Sequence, residues 1–407
     1  MIARRLYLKA APKPAMHALT MGAPPLRRRC AITDRSERQS RLAAVDTAAQ
    51  AAGYDLLIVL GRGVISHFGH LLFASGYCPV IRMGALVVRP GFSATLAVTS
   101  DSDRALATGV AVTDDIRVLE LVGDPSSSDS LGGMAALAMA GIATPRIGIA
   151  GLEDVASLPM IDALRTAIPG AMIESATDMM LRVKAVKSLA DLAGMRASAA
   201  LADDALRALA EALYDPACTL AAAAGAAQAV LAAGGAQEML VYASKGPHYL
   251  HRPRPERLEA GELLTVFVEV ANADGYWVEL ARLITRGAPS TQARRAITDG
   301  QAVMLAAREA LTPGRTGGQA YAGIAALVTQ GGYSSGLWLG HGVGVDHDLP
   351  TIGKGDATPL MPGMTIAFHP HLVDPASGTG SSYGDTFLVT EGAAEPLSRW
   401  PLDLIEV

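Results

Sequence analysis

Residues 246–286 constrain the fold more than any other stretch, because they predict a histidine-containing loop and two strands joined at Asp274-Gly275. An Asp-Gly pair favours a tight reversal, so the strands should pair antiparallel as a β-hairpin. Side chains alternate along a strand, which places Glu279 on the same face as the apolar Trp277. A carboxylate among apolar neighbours needs a partner. Histidine beside carboxylates therefore indicates proton-transfer chemistry or a metal site.

Composition narrows the class of protein. A chain of 407 residues is long enough for two domains, and half of its residues are apolar. The net charge of −5 argues against nucleic-acid partners. The sequence contains no run of about 18 strongly apolar residues, so we predict no membrane span. The three cysteines are widely spaced, which is typical of a reducing compartment and predicts a cytoplasmic protein.

The first 33 residues differ from the rest because they contain cations and no acid before Asp34. We interpret residues 1–33 as a basic flexible extension, with translation starting at Met16 or Met21 as one explanation. A transit or export signal is the alternative, although no apolar core with a cleavage site accompanies it.

The remaining chain predicts two domains. Helical and strand patterns alternate over residues 34–180, which is typical of an α/β domain. Residues 181–407 predict helices first and an antiparallel sheet afterwards, so this domain is α+β. No dinucleotide or phosphate-binding glycine motif opens a helix.

Four histidines and two glutamates of the second domain are candidates for chemistry. His251 is followed by two prolines that would fix its loop, although a loop histidine is often only solvated. Glu269 and Glu279 form a carboxylate pair in the hairpin, with an ion pair to arginine as the structural alternative. The other candidates are His341 between two glycines, His347 shortly after it, and His369 at the end of an apolar strand.

These motifs, in this order, resemble the creatinase/prolidase/methionine aminopeptidase family, whose catalytic domain has the pita-bread fold. The resemblance rests on four stretches, which are residues 181–200, 251–264, 275–287 and 340–370. The third contains Gly-Tyr-x-x-acid-x-x-Arg, with Tyr276, Glu279 and Arg282 in the matching places. The resemblance implies an α/β creatinase-type N-terminal domain followed by a pita-bread catalytic domain.

The resemblance also implies a metal-ligand set from which this sequence departs. Metal-dependent members hold two divalent ions with two aspartates, one histidine and two glutamates. In this chain Val268 takes the place of the first aspartate, Glu279 the second, His369 the first glutamate and Gly384 the last. Glu269 is one residue off, and such a slip points a side chain to the opposite face of a strand unless a bulge restores it.

Too few oxygen ligands remain for two ions, so we expect no cofactor. A single divalent metal held by Glu279, His341, His369 and Glu269 is the alternative. The family's metal-free members, of which creatinase is the model, hydrolyse non-peptide C–N bonds and use a histidine at the place of His251.

The sequence therefore predicts a metal-independent hydrolase of a non-peptide C–N bond in a small polar molecule other than creatine. His251, Glu279 and His341 would be catalytic. The substrate-binding candidates are His369, His347, Arg282, Tyr276, Arg82 and Asp385.

The resemblance implies a homodimer in which the N-terminal domain of one subunit lies near the site of the other. We expect no nucleic-acid or membrane partner. Two alternatives remain, a metal-dependent prolidase-like hydrolase or lyase with a mononuclear site, and an inactive pita-bread binding protein.

Overall fold

The computed structural model describes residues 34–248 and 250–407. The predicted extension, residues 1–33, lies outside the described residues. The described part has an N-terminal α/β layer structure followed by an α+β region, as the sequence predicted. No helix of this part is both long and apolar enough to cross a membrane.

The N-terminal region is built on a mixed six-stranded sheet. Its strand order is β4-β3-β2-β1-β5-β6, with β1 antiparallel to β2 and parallel to β5. Its strands are β1 (Leu56–Arg62), β2 (Met83–Val88), β3 (Thr95–Val98), β4 (Ile116–Val118), β5 (Arg146–Ala150) and β6 (Met172–Ser175). Its helices are α1 (Arg35–Ala52), α2 (Gly69–Ser75), α3 (Asp101–Ala107), α4 (Leu131–Ala138), α5 (Leu158–Ala167) and α6 (Thr177–Ala185).

The C-terminal region consists of helices around two larger antiparallel-rich sheets and a two-stranded antiparallel sheet of β13 (His371–Val373) and β14 (Gly380–Ser382). The helices are α7 (Leu189–Leu213), α8 (Leu220–Ala233), α9 (Thr291–Ala310) and α10 (Gly317–Gln330). The strands are β7 (Glu238–Lys245), β8 (Leu263–Ala271), β9 (Trp277–Thr285), β10 (Trp338–Val343), β11 (His347–Gly353), β12 (Thr365–Phe368), β13 (His371–Val373), β14 (Gly380–Ser382), β15 (Asp385–Leu388), β16 (Glu395–Pro396) and β17 (Ile405–Glu406). The sheet orders are β17-β9-β8-β7 and β11-β10-β12-β15-β16.

The predicted hairpin is formed by β8 and β9. A five-residue turn leads from Ala271 to its partner Trp277, and the register places Glu269 directly opposite Glu279. Directly opposite residues in an antiparallel pair project to the same face. A bridge between Ala281 and Gly384 then joins this hairpin to the second sheet, so the strands that carry the candidate residues meet at one place.

A polar network fixes the turn of the hairpin against the N-terminal region. The Tyr276 hydroxyl lies 2.8 Å from Asp191 Oδ1 and 2.8 Å from Arg41 Nη2. Asp191 also closes the capping box at the start of α7 with Ser188. These buried hydrogen bonds link α1, α7 and the strand that carries Glu279.

A buried ion cluster lies beneath the loop between β10 and β11. Asp348 Oδ1 is 3.0 Å from Lys184 Nζ, and its Oδ2 is 2.7 Å from Lys187 Nζ. Burial alone would raise the pKa of Asp348, but the two ammonium groups outweigh it and lower the pKa. Removing one partner of such a group leaves an uncompensated charge in the interior.

We therefore expect Asp348→Asn to lower the free energy of unfolding by about 3–5 kcal/mol. A depressed carboxyl pKa stabilises the fold above the unfolded-state pKa, so wild type should lose this contribution as the pH falls below about 4. The urea midpoint of both proteins, measured at pH 7 and at intervals between pH 4 and pH 2, tests this. Asp114→Asn, which removes an exposed ion pair to Arg35, is the control and should change stability by less than about 0.5 kcal/mol. Equal midpoints for the two variants would contradict this role.

Candidate metal centre

Three side chains converge between the two sheets. Glu279 Oε1 lies 3.3 Å from His341 Nε2, and Glu279 Oε2 lies 3.5 Å from His369 Nε2. One ligand atom from each residue lies within 4.8 Å of the other two. Two imidazoles and a carboxylate are a donor set that suits Zn²⁺ or Fe²⁺.

The backbone around His341 explains how the strands bring these side chains together. A Cβ at Gly340 would lie 2.2 Å from Ala367 O, and one at Gly342 would lie 2.2 Å from Leu349 O. The two glycines flanking His341 therefore permit β10 to lie close to β12 on one side and to β11 on the other. This close approach fixes the imidazole of His341 opposite Glu279.

Hydrogen bonding determines the tautomer of His341. Its Nδ1 lies 2.9 Å from Gly342 O, and a carbonyl can only accept, so Nδ1 carries the proton. Its Nε2 then faces a carboxylate oxygen. In the neutral tautomer two lone pairs would oppose each other there, so the arrangement requires a cation between them, either a second proton or a metal ion.

The pKa shifts of the three side chains show which of them are charged at neutral pH. Burial would raise the pKa of Glu279, but His341 and then His369 outweigh it and lower the pKa to about 2. Burial would lower the pKa of His341, but Glu279 outweighs it and raises the pKa. Burial dominates at His369 and lowers its pKa to about 4. The cluster therefore holds an ionised carboxylate and one neutral imidazole at neutral pH, both of which are ready ligands.

The side chains at this site provide ligands for one cation. They do not provide ligands for the two cations held by metal-dependent members of the family that the sequence resembles. Val268 is buried and pairs with Leu280, one position away from the Glu269–Glu279 pair, so it lies on the other face of β8. At Gly384 a Cβ would lie 3.1 Å from Ala281 Cβ and 3.3 Å from His369 Cβ, so this position is tightly enclosed. The ligands of a second ion are absent at both places.

The structure answers a question that the sequence left open for Glu269. A one-residue slip would turn this side chain away unless a bulge restored it, and the register of β8 and β9 places it on the face of Glu279. Burial, and then the negative charge of Glu279, raise the pKa of Glu269 well above its usual value. Glu269 is not one of the three convergent ligands, although it lines the same small cavity as Glu279 and His347.

His347 lies beside the cluster on the solvent side. Its ring centroid is 4.3 Å from that of His341, and its side chain is 54% exposed. Its Nδ1 is 3.1 Å from the hydroxyl of Ser66, which belongs to the N-terminal region of the same chain. The structure therefore places His347 where a substrate-binding residue would be expected.

Three other predicted substrate-binding residues are engaged within the protein. Arg282 donates to Asp385 Oδ2 at 2.8 Å and to the carbonyls of Gly384, Trp400 and Pro401. These bonds hold the C-terminal segment against β9, which is a structural role. Burial raises the pKa of Asp385 to about 6 despite its arginine partner.

Tyr276 is likewise engaged, since its hydroxyl belongs to the network with Arg41 and Asp191 described above. Its buried ring faces Gly194.

The remaining two candidates lie on exposed loops. His251 is exposed, and none of the described contacts joins it to Glu279. Arg82 is exposed as well, and its carbonyl accepts from Gly63 N–H. The catalytic role of His251 and the homodimer stay predictions, as does the role of Arg82.

Sequence reasoning missed two residues at the site. Trp338 places its ring 5.7 Å from His341 and 5.1 Å from His369, and it is 46% exposed. It begins β10, three residues before His341, so a strand pattern over residues 338–343 would have indicated it. Ser66 is nearly 300 residues from His347 in sequence, and no local signal connects the two.

The chain is similar to a known protein family and to individual proteins described as dipeptidases. Residues 193–391 match the model of metallopeptidase family M24. A protein of Mycobacterium bovis described as "Probable dipeptidase PepE" is 28% identical over 256 residues, which cover 61% of this chain and 67% of that protein.

Solved structures agree on the fold. Dipeptidase PepE from Mycobacterium ulcerans superposes with a TM-score of 0.76 at 22% identity, over 92% of this chain and 99% of that one. The prolidase from Pyrococcus horikoshii gives a TM-score of 0.76 at 19% identity, over 90% and 100% of the two chains. The two-domain pita-bread architecture predicted from the sequence is thereby confirmed.

The prediction of a metal-independent enzyme that cleaves a non-peptide C–N bond is wrong. The proteins similar to this chain are dipeptidases and prolidases of a metallopeptidase family, so the comparisons favour the metal-dependent alternative. The sequence-based prediction gave more weight to the lost aspartate and glutamate than to the ligands that remained for a single ion. The structure brings three of those candidate ligands within reach of one another.

We expect Glu279→Gln to abolish stoichiometric binding of Zn²⁺, because an amide cannot supply the negative charge that two imidazoles and a dication share. Isothermal titration of chelator-treated protein with Zn²⁺ measures it. Glu262→Gln is the matched control, since Glu262 lies at the start of the same hairpin and pairs with Lys245 at 2.7 Å. Wild-type affinity in Glu279→Gln would place the cation elsewhere.

Proposed function

We propose that this chain, whose residues 193–391 match the model of metallopeptidase family M24, is a metal-dependent hydrolase of short peptides with one divalent cation. The observation that carries the proposal is the convergence of Glu279, His341 and His369. The names of the similar proteins, dipeptidase and prolidase, support a peptide bond as the scissile bond.

Glu279, His341 and His369 would hold the cation, which when bound would supply Lewis acidity and an acidified water. Glu279 is suited to this because it stays ionised, and the Nδ1–H of His341 is fixed by the Gly342 carbonyl, which leaves Nε2 facing Glu279 as the ligand atom. A ligand histidine oriented by a backbone carbonyl is the usual arrangement at such sites.

We assign proton transfer to Glu269. It faces the cavity shared with Glu279 and His347, and burial favours its protonated form. Two carboxyl groups whose surroundings shift their pKa values in opposite directions can divide the roles of ligand and acid/base. In its protonated form Glu269 would give its proton to the leaving nitrogen as the C–N bond breaks, and the proton released by the attacking water would restore that form.

Two neighbours would contact the substrate. His347 presents a half-exposed imidazole at the mouth of the site, within reach of a peptide carbonyl or carboxylate. Trp338 offers an exposed aromatic face next to His341 and His369 for an apolar side chain. Both residues border the cluster on its open side.

The decisive experiment measures metal and activity together. Protein purified without chelator is analysed for metal content and assayed on a panel of dipeptides that includes Xaa-Pro peptides. We expect about one divalent ion per chain, hydrolysis of at least one peptide, loss of activity in EDTA and recovery with Zn²⁺, Mn²⁺ or Fe²⁺. A metal-free protein that hydrolyses no peptide with any of these ions would overturn the proposal in favour of a binding protein.

We expect Glu269→Gln to lower kcat by about 10²–10⁴-fold while the metal content stays at the wild-type level, because the amide removes proton transfer and leaves the three ligands intact. The assay is peptide hydrolysis paired with elemental analysis. His251→Ala serves as the comparison, since the earlier prediction gave the acid/base role to His251. A larger loss in His251→Ala than in Glu269→Gln would return the role to the histidine.

A further inference from the structure

The N-terminal region of the same chain reaches the site through the loop between β1 and α2. In this loop the hydroxyl of Ser66 lies 3.1 Å from Nδ1 of His347. Ser66 also lines the small cavity that contains Glu269, Glu279 and His347. A residue of the first domain is therefore part of a site whose other members all belong to the second.

The contact is held by close packing on both sides. Gly69 N–H donates to Asp346 Oδ2 at 3.1 Å, and His347 N–H donates to Asp346 Oδ1 at 2.8 Å. A Cβ at Gly69 would lie 2.3 Å from Asp346 Cβ, so the start of α2 is pressed against the carboxylate. The carboxylate of Asp346 thus accepts hydrogen bonds both from the start of α2, next to the loop of Ser66, and from the backbone of His347.

The backbone at Ser66 is unusual. Its φ is 60°, and among the residues that the structure describes it is the one non-glycine residue with a positive φ. Glycine or asparagine adopts this conformation more easily than serine. A serine that accepts this strain is a candidate for a role of its hydroxyl, and strained backbone of this kind is concentrated at functional sites.

The hydroxyl of Ser66 is the near hydrogen-bonding group at Nδ1 of His347. Asp346 Oδ1 is 3.9 Å from Nδ1, too far for a hydrogen bond, so Ser66 is the near partner of that nitrogen. If the hydroxyl donates, Nδ1 accepts and the proton of the neutral ring must lie on Nε2. An imidazole with Nε2–H cannot coordinate a metal through that nitrogen.

We propose that Ser66 is a positioning residue that acts through His347. Its hydroxyl donates to Nδ1 and holds the neutral imidazole in the Nε2–H form. His347 then presents an N–H donor to a carbonyl or carboxylate of the peptide and stays out of the coordination sphere of the cation. The substrate part of this inference rests on the proposed function, whereas the tautomer part does not.

The tautomer is tested directly by NMR on protein labelled with ¹⁵N-histidine, in the presence of Zn²⁺, with His347→Gln to assign the resonances. We expect wild type to show Nε2–H as the dominant form of His347 and Ser66→Gly to show a mixture. Ser66→Asn keeps a donor and tolerates the positive φ, so it should preserve the wild-type form. An unchanged spectrum in Ser66→Gly, or a dominant Nδ1–H form in wild type, would overturn the proposal.

The consequence for substrate is tested by a double-mutant cycle in the peptide assay. Ser66→Gly should raise KM about 3- to 10-fold with kcat within about twofold, as expected for one hydrogen bond to the substrate's partner. The same substitution in a His347→Ala background should change KM by less than about twofold, because the residue through which Ser66 acts is gone. An equal effect in both backgrounds would show a merely structural role and refute the positioning one.

The experiments distinguish failure of the proposed function from failure of the positioning role of Ser66. If wild type hydrolyses no peptide, the proposed function fails and the NMR experiment still decides the role of Ser66. If wild type is active and Ser66→Gly matches it in both KM and tautomer, only the positioning role fails. Thermal unfolding of Ser66→Gly should show unchanged or higher stability, since glycine relieves the positive φ.

Discussion

A single buried carboxylate determines the chemistry available to this protein. Glu279 is 5% exposed, and its two oxygens face the imidazoles of His341 and His369. An ionised carboxylate in such a place is costly unless a cation compensates it. The Gly342 carbonyl fixes one proton of His341 on the far nitrogen, so the compensating charge is either a second proton on Nε2 or a metal ion. The candidate metal site depends on this arrangement of charges rather than on the count of acidic residues.

The arrangement depends in turn on the register of one hairpin. Asn272 Oδ1 accepts from the backbone N–H groups of Asp274 and Tyr276, which shapes the turn. The hydroxyl of Tyr276 anchors that turn to Arg41 and Asp191. A shift of one residue would move Glu279 to the face of the helices and bring the apolar Leu280 into the site. Residues remote from the cation thus decide which side chains reach it.

Much of this could be predicted from the sequence because it depends on local patterns. The Asp-Gly turn and the alternating strands gave the hairpin, and the glycines around His341 indicated a close backbone approach. The face of Glu269 could not be predicted, because it depends on the turn length that a β8–β9 pairing actually adopts. The structural role of Arg282 was hidden as well, since its acceptors lie about 100–120 residues further along the chain. Ser66 was beyond reach for the same reason, because its partner His347 belongs to the other domain.

Two of the departures from the dinuclear ligand set, those at positions 369 and 384, are physically coupled. Gly384 lies against His369, and a Cβ at position 384 would approach the Cβ of His369 to 3.3 Å. An imidazole at 369 adds a neutral nitrogen donor, while the glycine at 384 leaves the backbone free to pair with Ala281. Restoring a glutamate at position 384 alone would crowd Ala281 and His369 and bring a second carboxylate next to Glu279 without a second cation. The glycine at 384 and the histidine at 369 therefore fit together, and they leave candidate ligands for one cation.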